Sequence, residues 1–360
     1  MSSESVFKVT IRVRATAFIA TVGVLLCSAG TCRADDAPPS TDAIRRAVER
    51  SLPLLTAGAK GAAEHKRQCF MCHNQAVPVF ALVTAADRGF PLDRDFLQQQ
   101  LKHTAAFLDR NRERYLNGEG QGGQADMAGY AMWMLDVGGW KPDDTTTAVT
   151  EYFLKYQGDQ DHWKSVSDRP PSEKSPFTAS YVAMRGLLRF GQAGQKDRIE
   201  QRRSALRTWL INTPASDTEE MVFRLRGLKE TGAEETVVAE AASQLFKAQR
   251  EDGGWSQDST RDSDAYATGS ALVSLEATGR LTISDPAYRR GLRYLVDSQL
   301  DDGSWHVVSH SKPFQPYFES GYPHGADQFI SIAGAGWATT SLALALPVVE
   351  APTSATPRGN

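Results

Sequence analysis

Cysteine is scarce in this chain. The 360 residues contain four cysteines, and two of them, Cys27 and Cys32, lie within the first 34 residues. Without that segment only Cys69 and Cys72 remain, so at most one disulfide can form within a chain. A small fold held together by a disulfide framework is therefore excluded.

The chain also lacks an excess of positive charge. It carries 40 Lys and Arg against 43 Asp and Glu, a net charge of −3. Proteins that bind nucleic acid present a basic face to the phosphate backbone. We therefore expect no nucleic-acid partner.

No uncharged apolar run has the length of an ordinary transmembrane helix. The run at 15–30 follows the basic residues Lys8 and Arg12 and ends in small residues. A basic start, a short apolar run and a small-residue cleavage site are typical of a secretory signal. We predict that residues 1–34 are a signal peptide, that the protein is exported to the periplasm, and that no membrane span remains after cleavage. The alternative is an uncleaved anchor.

Sustained alternation of period two is missing as well, so we expect few strands. After a Pro-rich linker at 35–41 the pattern is helical over 42–348, and 349–360 read as a disordered tail. One clear helix is Ala265–Ala277, closed by Gly279. Further helices are predicted over Ala76–Asp87 and from near Asp126, Phe177 and Trp337. The predicted fold class is all-α.

The most specific motif is Cys-Phe-Met-Cys-His at 69–73, a C-x-x-C-H run of the kind that attaches c-type haem. On a helical turn, residues three and four apart share a face. We therefore predict covalent haem c on Cys69 and Cys72, with His73 as the axial ligand of its iron. This implies haem-attachment machinery as a partner, and a redox protein or a small-molecule ligand as a second one. The alternative is a haem-free scaffold with a Cys69–Cys72 disulfide.

An internal repeat organises the second half of the chain. Residues 290–305 contain Gln299, Gly303 and Trp305 at fixed spacing, and 245–255 repeat that spacing with Gln249, Gly253 and Trp255. A degenerate third copy runs from Gln157 to Trp163. In each copy the Gln can satisfy backbone groups at a helix end, the Gly permits a tight turn and the Trp covers the junction. We interpret these residues as structural.

These repeats resemble the QW motifs of squalene–hopene cyclases and of the related prenyltransferase repeats. The resemblance is strong over 145–345 and weaker over 42–140. It implies a single α/α toroid of helical hairpins in two concentric rings. The C-x-x-C-H run falls in the turn of the first hairpin, which would place haem at one rim of the toroid.

The resemblance brings no complete reaction centre with it. Squalene–hopene cyclases protonate an alkene with an Asp-x-Asp-Asp motif, and the comparable place here reads Asp262-Ser263-Asp264-Ala265, without the last acid. Both acids are low-ranking catalytic candidates in a terpene-cyclase-like enzyme, and an N-cap role is the preferred interpretation. Those cyclases also combine two toroids, which a chain of this length lacks. The cysteine ligand of prenyltransferase zinc and the Cys-Gly-Glu-Gln thioester motif are absent.

A long connection at 306–328 is the last candidate region. It contains Glu319, His324 and Asp327 among several aromatic residues. Such a length inside a compact domain is often functional, so these three residues are further candidates for a pocket lining or lid. The alternative is a packed Ω-loop over the toroid mouth. The sequence thus predicts an exported redox toroid, with electron transfer or a redox step on a bound ligand.

Overall fold

The computed structural model describes residues 38–65, 69–312 and 316–349. The predicted signal peptide, residues 35–37 of the linker, residues 66–68, Pro313–Gln315 and nearly all of the predicted tail lie outside the described residues. The first helices are α1 (Thr41–His65), α2 (Val77–Ala86), α3 (Arg94–Asp109), α4 (Arg112–Leu116), α5 (Gln124–Val137), α6 (Asp144–Lys155) and α7 (Pro176–Phe190). They are followed by α8 (Lys196–Asn212), α9 (Thr218–Thr231), α10 (Glu235–Lys247), α11 (Ala265–Ala277), α12 (Pro286–Asp297) and α13 (Gln328–Leu344).

The helices form two concentric rings. Helices α2, α5, α7, α9, α11 and α13 each pack against the next, and α13 packs against α2, so this inner ring is closed. Helices α1, α3, α6, α8, α10 and α12 lie outside it. The described residues contain two isolated β-bridges and no longer strand, which confirms the predicted all-α toroid.

Composition explains which helices lie inside. Inner helix α11 buries eleven of its thirteen residues, and its Ala, Gly, Ser and Thr let neighbouring backbones approach. A Cβ on Gly269 would lie 2.6 Å from the backbone nitrogen of Ala338 on α13. Outer helix α12 instead buries Tyr288, Gly291, Leu292 and Leu295, a spacing that confines the apolar surface to one face.

The repeat residues act as predicted. Gln299 donates from Nε2 to the carbonyl oxygens of Gly303 (2.9 Å) and Ala47 (2.9 Å), and the buried Trp305 donates to Leu295 O at 2.9 Å. Gly303 has a φ of 90°, which glycine tolerates. Because Ala47 belongs to α1, the last repeat joins the first hairpin and closes the outer ring.

Two local predictions were wrong. The last inner helix begins at Gln328, nine residues before Trp337, because no turn residue interrupts its apolar run. Cys69 and Cys72 do not share a helical turn, since Met71 between them is extended, with φ −129° and ψ 110°. No helix among the described residues has the length and apolar character needed to cross a membrane.

Candidate functional site

The N-terminal ends of the inner helices meet at one end of the toroid, which we call the mouth. Glu219, in the first turn of α9, contacts Thr178 of α7 at 2.8 Å and Tyr266 of α11 at 3.1 Å. Cys72, ahead of α2, contacts Glu173, ahead of α7, at 2.7 Å. Side chains that are far apart in sequence therefore converge at the mouth.

The second half of the motif, Cys72 and His73, begins a π-helical turn, Cys72–Ala76, at the mouth. Such wide turns often occur at functional sites. Gln75 holds the turn in place, because its Oε1 accepts from Met71 N at 2.9 Å and its Nε2 donates to Gln100 Oε1 at 3.0 Å. Cys72 and His73 thus point into the toroid, whereas Cys69 lies exposed outside it.

Cys72, His73 and Glu173 form a buried cluster of three ligand-type side chains. Cys72 Sγ lies 2.7 Å from Glu173 Oε1 and 3.4 Å from His73 Nδ1, and Nδ1 lies 3.5 Å from Glu173 Oε1. Their ligand atoms, one from each side chain, all lie within 4.8 Å of one another, and no other group of three His, Cys, Asp or Glu residues in the described part of the chain does so. Arg169 pairs with the Glu173 carboxylate.

Burial decides the protonation of this cluster in the absence of a cation. It raises the pKa of the Cys72 thiol to about 12, an effect that Arg169 partly offsets, and the thiol donates to Glu173. Burial, with Arg169 as a second cause, lowers the pKa of His73 to about 3. His73 is therefore neutral at ordinary pH. Its Nε2 contacts Ser172 Oγ, so a proton on Nε2 leaves the Nδ1 lone pair facing the cluster.

A narrow cavity lies against the cluster, and in this structure it is too tight to hold a water molecule. Its lining comes from five inner helices or the segments before them: Cys72, His73, Val77, Tyr130, Ser172, Tyr266 and Ala333. The Tyr130 hydroxyl is buried and has no hydrogen-bond partner among the described residues. Because burying an unpaired hydroxyl is costly, Tyr130 is a donor that a ligand could use once the side chains around the cavity move apart.

Two further carboxyls are buried near the mouth. Burial raises the pKa of Asp126 to about 7 and that of Glu219 to about 8. Asp126 accepts from Ser165 Oγ at 2.7 Å through one oxygen, and its other oxygen has no partner among the described residues. The mouth therefore holds groups that can carry a proton near neutral pH.

The candidates in the long connection lie elsewhere. His324 Nε2 contacts Ser304 Oγ at 2.8 Å, Asp327 contacts His306 Nε2 at 2.8 Å, and the exposed Glu319 pairs with Tyr317. None of the three lines the cavity. Their contacts hold the connection itself together, as in the Ω-loop interpretation.

The cyclase-like acids occupy structural positions. Asp264 is the N-cap of α11 and accepts from Ala267 N at 2.9 Å and from Gln257 Nε2 at 2.8 Å. Burial raises the pKa of Asp264 to about 6, but both oxygens are engaged by these donors. Asp262 is exposed on the surface.

The axis of the toroid below the mouth is filled by side chains. Trp133 of α5 and Trp337 of α13, which are not neighbouring helices, have ring centroids 5.9 Å apart, and Phe80 lies 4.4 Å from Trp133. The guanidinium groups of Arg185 and Arg226 lie over the Trp133 ring at 5.4 and 5.0 Å. These residues pack together in the interior of the ring.

The geometry around His73 does not accommodate a porphyrin. Ser172 occupies the Nε2 side of the imidazole, Cys72 and Glu173 face its Nδ1, and the adjoining cavity is too narrow even for a water molecule. The two cysteines also lack the shared helical turn on which the prediction rested. Covalent haem stays a prediction that needs its own spectroscopic test.

Sequence reasoning found Cys72 and His73 but missed Glu173, Tyr130, Tyr266 and Glu219. Each of these residues lies in the first turns of an inner helix or just ahead of one. Aligning the starts of the inner helices would have pointed to them, because a toroid brings those starts together.

The comparisons with known proteins support the fold. Residues 200–335 match the squalene-hopene cyclase C-terminal domain. No curated protein matches the chain. Among solved structures, the chain is similar to the type II terpene cyclase MstE from Scytonema, with 14% identity and a TM-score of 0.54 for the apo form.

Two liganded structures of MstE variants give the same result. One holds the product merosterolic acid A and matches with 13% identity and a TM-score of 0.52. The other holds the substrate geranylgeranyl dihydroxybenzoate and matches with 12% identity and a TM-score of 0.54. Each comparison, like that with the apo form, covers 85% of this chain and 99% of the MstE chain. A terpene cyclase chain can therefore match a single toroid, which removes the size argument against cyclisation. At this identity the likeness shows a terpene-cyclase-like toroid fold and nothing finer.

Proposed function

We propose that the protein is a metalloenzyme whose centre is one divalent transition-metal ion, of the zinc class, held by Cys72, His73 and Glu173 at the mouth of the toroid. The observation that carries this proposal is the convergence of a sulfur, a nitrogen and an oxygen ligand atom within 4.8 Å, from segments 100 residues apart. Thiolate, imidazole and carboxylate together suit zinc and its neighbours.

The distances support an ion of this kind. Tetrahedral zinc, with bonds of about 2.0–2.3 Å, places its ligand atoms about 3.3–3.8 Å apart. The Cys72–His73 and His73–Glu173 separations of 3.4 and 3.5 Å fall in this range. The Cys72–Glu173 separation of 2.7 Å is that of a thiol hydrogen bond, and loss of the thiol proton to the ion would open it.

The surrounding residues support a catalytic site more than a structural one. Three protein ligands leave a fourth position open, which is the arrangement of catalytic zinc sites. When bound, the ion would supply Lewis-acid chemistry and lower the pKa of a small coordinated ligand. Ser172 would fix the His73 ring through Nε2, Arg169 would hold the Glu173 carboxylate in place, and the unpaired Tyr130 hydroxyl would bind the ligand in the cavity.

Covalent haem is the second candidate, favoured by the C-x-x-C-H run itself. It requires Ser172 and Glu173 to leave His73, and it requires Cys69 as well as Cys72. Either centre would fit the predicted export through residues 1–34. Polyprene cyclisation through Asp262 and Asp264 is not proposed, because Asp264 is a capped helix start and Asp262 is exposed.

The two candidates differ in their need for Cys69. The full chain is produced with its leader in a host that attaches haem c, and the purified protein is analysed by intact mass, haem spectrum and elemental analysis. We expect the mass of the polypeptide without haem and about one zinc per chain. Cys72→Ser and Glu173→Gln should lose the metal, and Cys69→Ser should keep it.

A haem spectrum that survives denaturation, together with a mass increase of one haem that Cys69→Ser removes, would establish the haem prediction and refute the metal centre. If the Cys72→Ser variant retained its metal, the proposed metal centre would also be refuted. Far-UV circular dichroism of each variant ensures that metal loss is compared between folded proteins.

A further inference from the structure

Glu219 links the cavity to a buried carboxyl. Its side chain is 4% exposed, and its two oxygens accept from Thr178 Oγ1 at 2.8 Å and from the Tyr266 hydroxyl at 3.1 Å. Tyr266 lines the same cavity as Cys72 and His73. Tyr266 therefore joins the Glu219 carboxyl, through one hydrogen bond, to the lining of that cavity.

The charges around Glu219 do not compensate the cost of burying its carboxyl. Thr178 of α7 and Tyr266 of α11 donate hydrogen bonds to it, and both Asp126 of α5 and the α9 N-cap Asp217 raise its pKa. Tyr130 of α5 also lies close enough to interact with its charge. Burial is the main cause of that shift, which brings the pKa of Glu219 to about 8. A glutamine would fill the same space without this cost, so the carboxyl is best explained by its proton.

We propose that Glu219 and Tyr266 form a proton-transfer pair for the cavity, whose ligand is a small weak acid H–X, such as water or a thiol, that binds the metal through X. This inference rests on the metal centre proposed above. The transfer takes place when the Glu219 carboxyl is ionised, which its raised pKa places toward alkaline pH. As the H–X bond then breaks, its proton passes to the Tyr266 oxygen while Tyr266 gives its own proton to the Glu219 carboxylate. Release of the ligand reverses both transfers, so no oxidant or reductant is needed.

Cobalt(II) provides the probe, because its absorption reports changes in the groups around it. Cobalt-loaded wild-type protein is titrated from pH 6 to 10, with water as H–X, beside Glu219→Gln and Tyr266→Phe. We expect a transition whose midpoint either variant moves by about one pH unit or more. The double variant should show no further shift, because both residues act in one pathway. Cobalt affinity should change little in any of them.

Glu276→Gln is the matched control, since Glu276 is a partly buried carboxyl near the other end of α11. Its cobalt profile should equal that of the wild type. Identical profiles for wild type and Glu219→Gln would overturn the proton-transfer pair and leave the metal centre standing. Failure of the wild type to bind cobalt or zinc would overturn the metal centre itself, and with it the pair.

An infrared readout does not depend on the metal. Metal-free wild-type protein at pH 7 should show the carbonyl band of a buried protonated carboxyl, and Glu219→Gln should lack part of that band. A spectrum unchanged by the substitution would contradict a proton on Glu219. A purely structural Glu219 would affect stability and would not move the cobalt titration.

Discussion

Asp126 carries the clearest electrostatic consequence at the residue scale. Burial raises its pKa from 3.8 to about 7, so the folded chain keeps a proton that the unfolded chain has already lost. Between these values the unfolded state binds fewer protons, and stability must fall as pH rises. The metal-free protein should therefore have a lower urea midpoint at pH 8 than at pH 5, and Asp126→Asn should flatten that slope.

The exposed Asp262→Asn is the matched control and should leave the slope unchanged. Urea unfolding followed by circular dichroism at both pH values measures the difference. If Asp126→Asn kept the full wild-type slope, Asp126 would not be the group that holds the proton. Glu219, with a pKa raised to about 8, adds a contribution of the same sign, so some slope should persist.

The C-x-x-C-H run shows at the same scale what a motif can and cannot predict. Its spacing directed attention to Cys72 and His73, which lie in the buried cluster. It did not reveal that Met71 is extended, since three-residue spacing alone does not make a helical turn. Nor could it reveal Glu173, which comes from a loop 100 residues later and reaches the cluster only through ring closure.

At the scale of elements, sequence patterns predicted much of the toroid. Ala265–Ala277 was placed correctly because Asp264 caps it and Gly279 follows it with a φ of 69°. The start of α13 was misplaced because its apolar run lacks an obvious cap; Asp327, which precedes it, makes no side-chain cap. Caps and turns give boundaries, whereas a uniformly small and apolar inner helix gives none.

The contact between α11 and α13 gives a prediction for Gly269. Replacing a helical glycine by alanine ordinarily favours the helix by about 1 kcal/mol. Here the added Cβ would lie 2.6 Å from Ala338 N and from Trp337 C, which are backbone atoms that cannot move aside. Gly269→Ala should therefore destabilise the protein by about 1–3 kcal/mol, measured by urea unfolding.

Gly194→Ala is the control for that substitution, because nothing lies within 4 Å of the added atom. It should leave the unfolding midpoint nearly unchanged. A stabilised Gly269→Ala protein would mean that the inner helices are not packed as closely as described.

At the scale of the whole molecule, the positions of the polar and aromatic side chains show that a cyclase-like fold does not by itself imply a cyclase reaction. The toroid is terpene-cyclase-like, yet Trp133, Trp337 and Phe80 fill its axis and Arg226 covers the ring face of Trp133. The buried cluster of ligand-type side chains lies at the mouth, where the metal site is proposed, whereas the interior below it is occupied by packed aromatic rings.

If the ring is closed, the repeat junctions around Gln249 and Gln299 should contribute equally to stability. Gln249 donates to Gly253 O and Ala287 O at 2.9 and 2.8 Å, as Gln299 does to Gly303 O and Ala47 O.

Gln249→Met and Gln299→Met each leave two carbonyl groups without these donors, which should cost about 2–3 kcal/mol. In a closed ring both variants should unfold in one cooperative transition with similar midpoints. In an open array Gln299 would lie at a free end, and its substitution would cost less and broaden the transition. Urea unfolding of the two variants, followed by circular dichroism and tryptophan fluorescence, distinguishes these arrangements because the two signals coincide only if the ring unfolds as a unit.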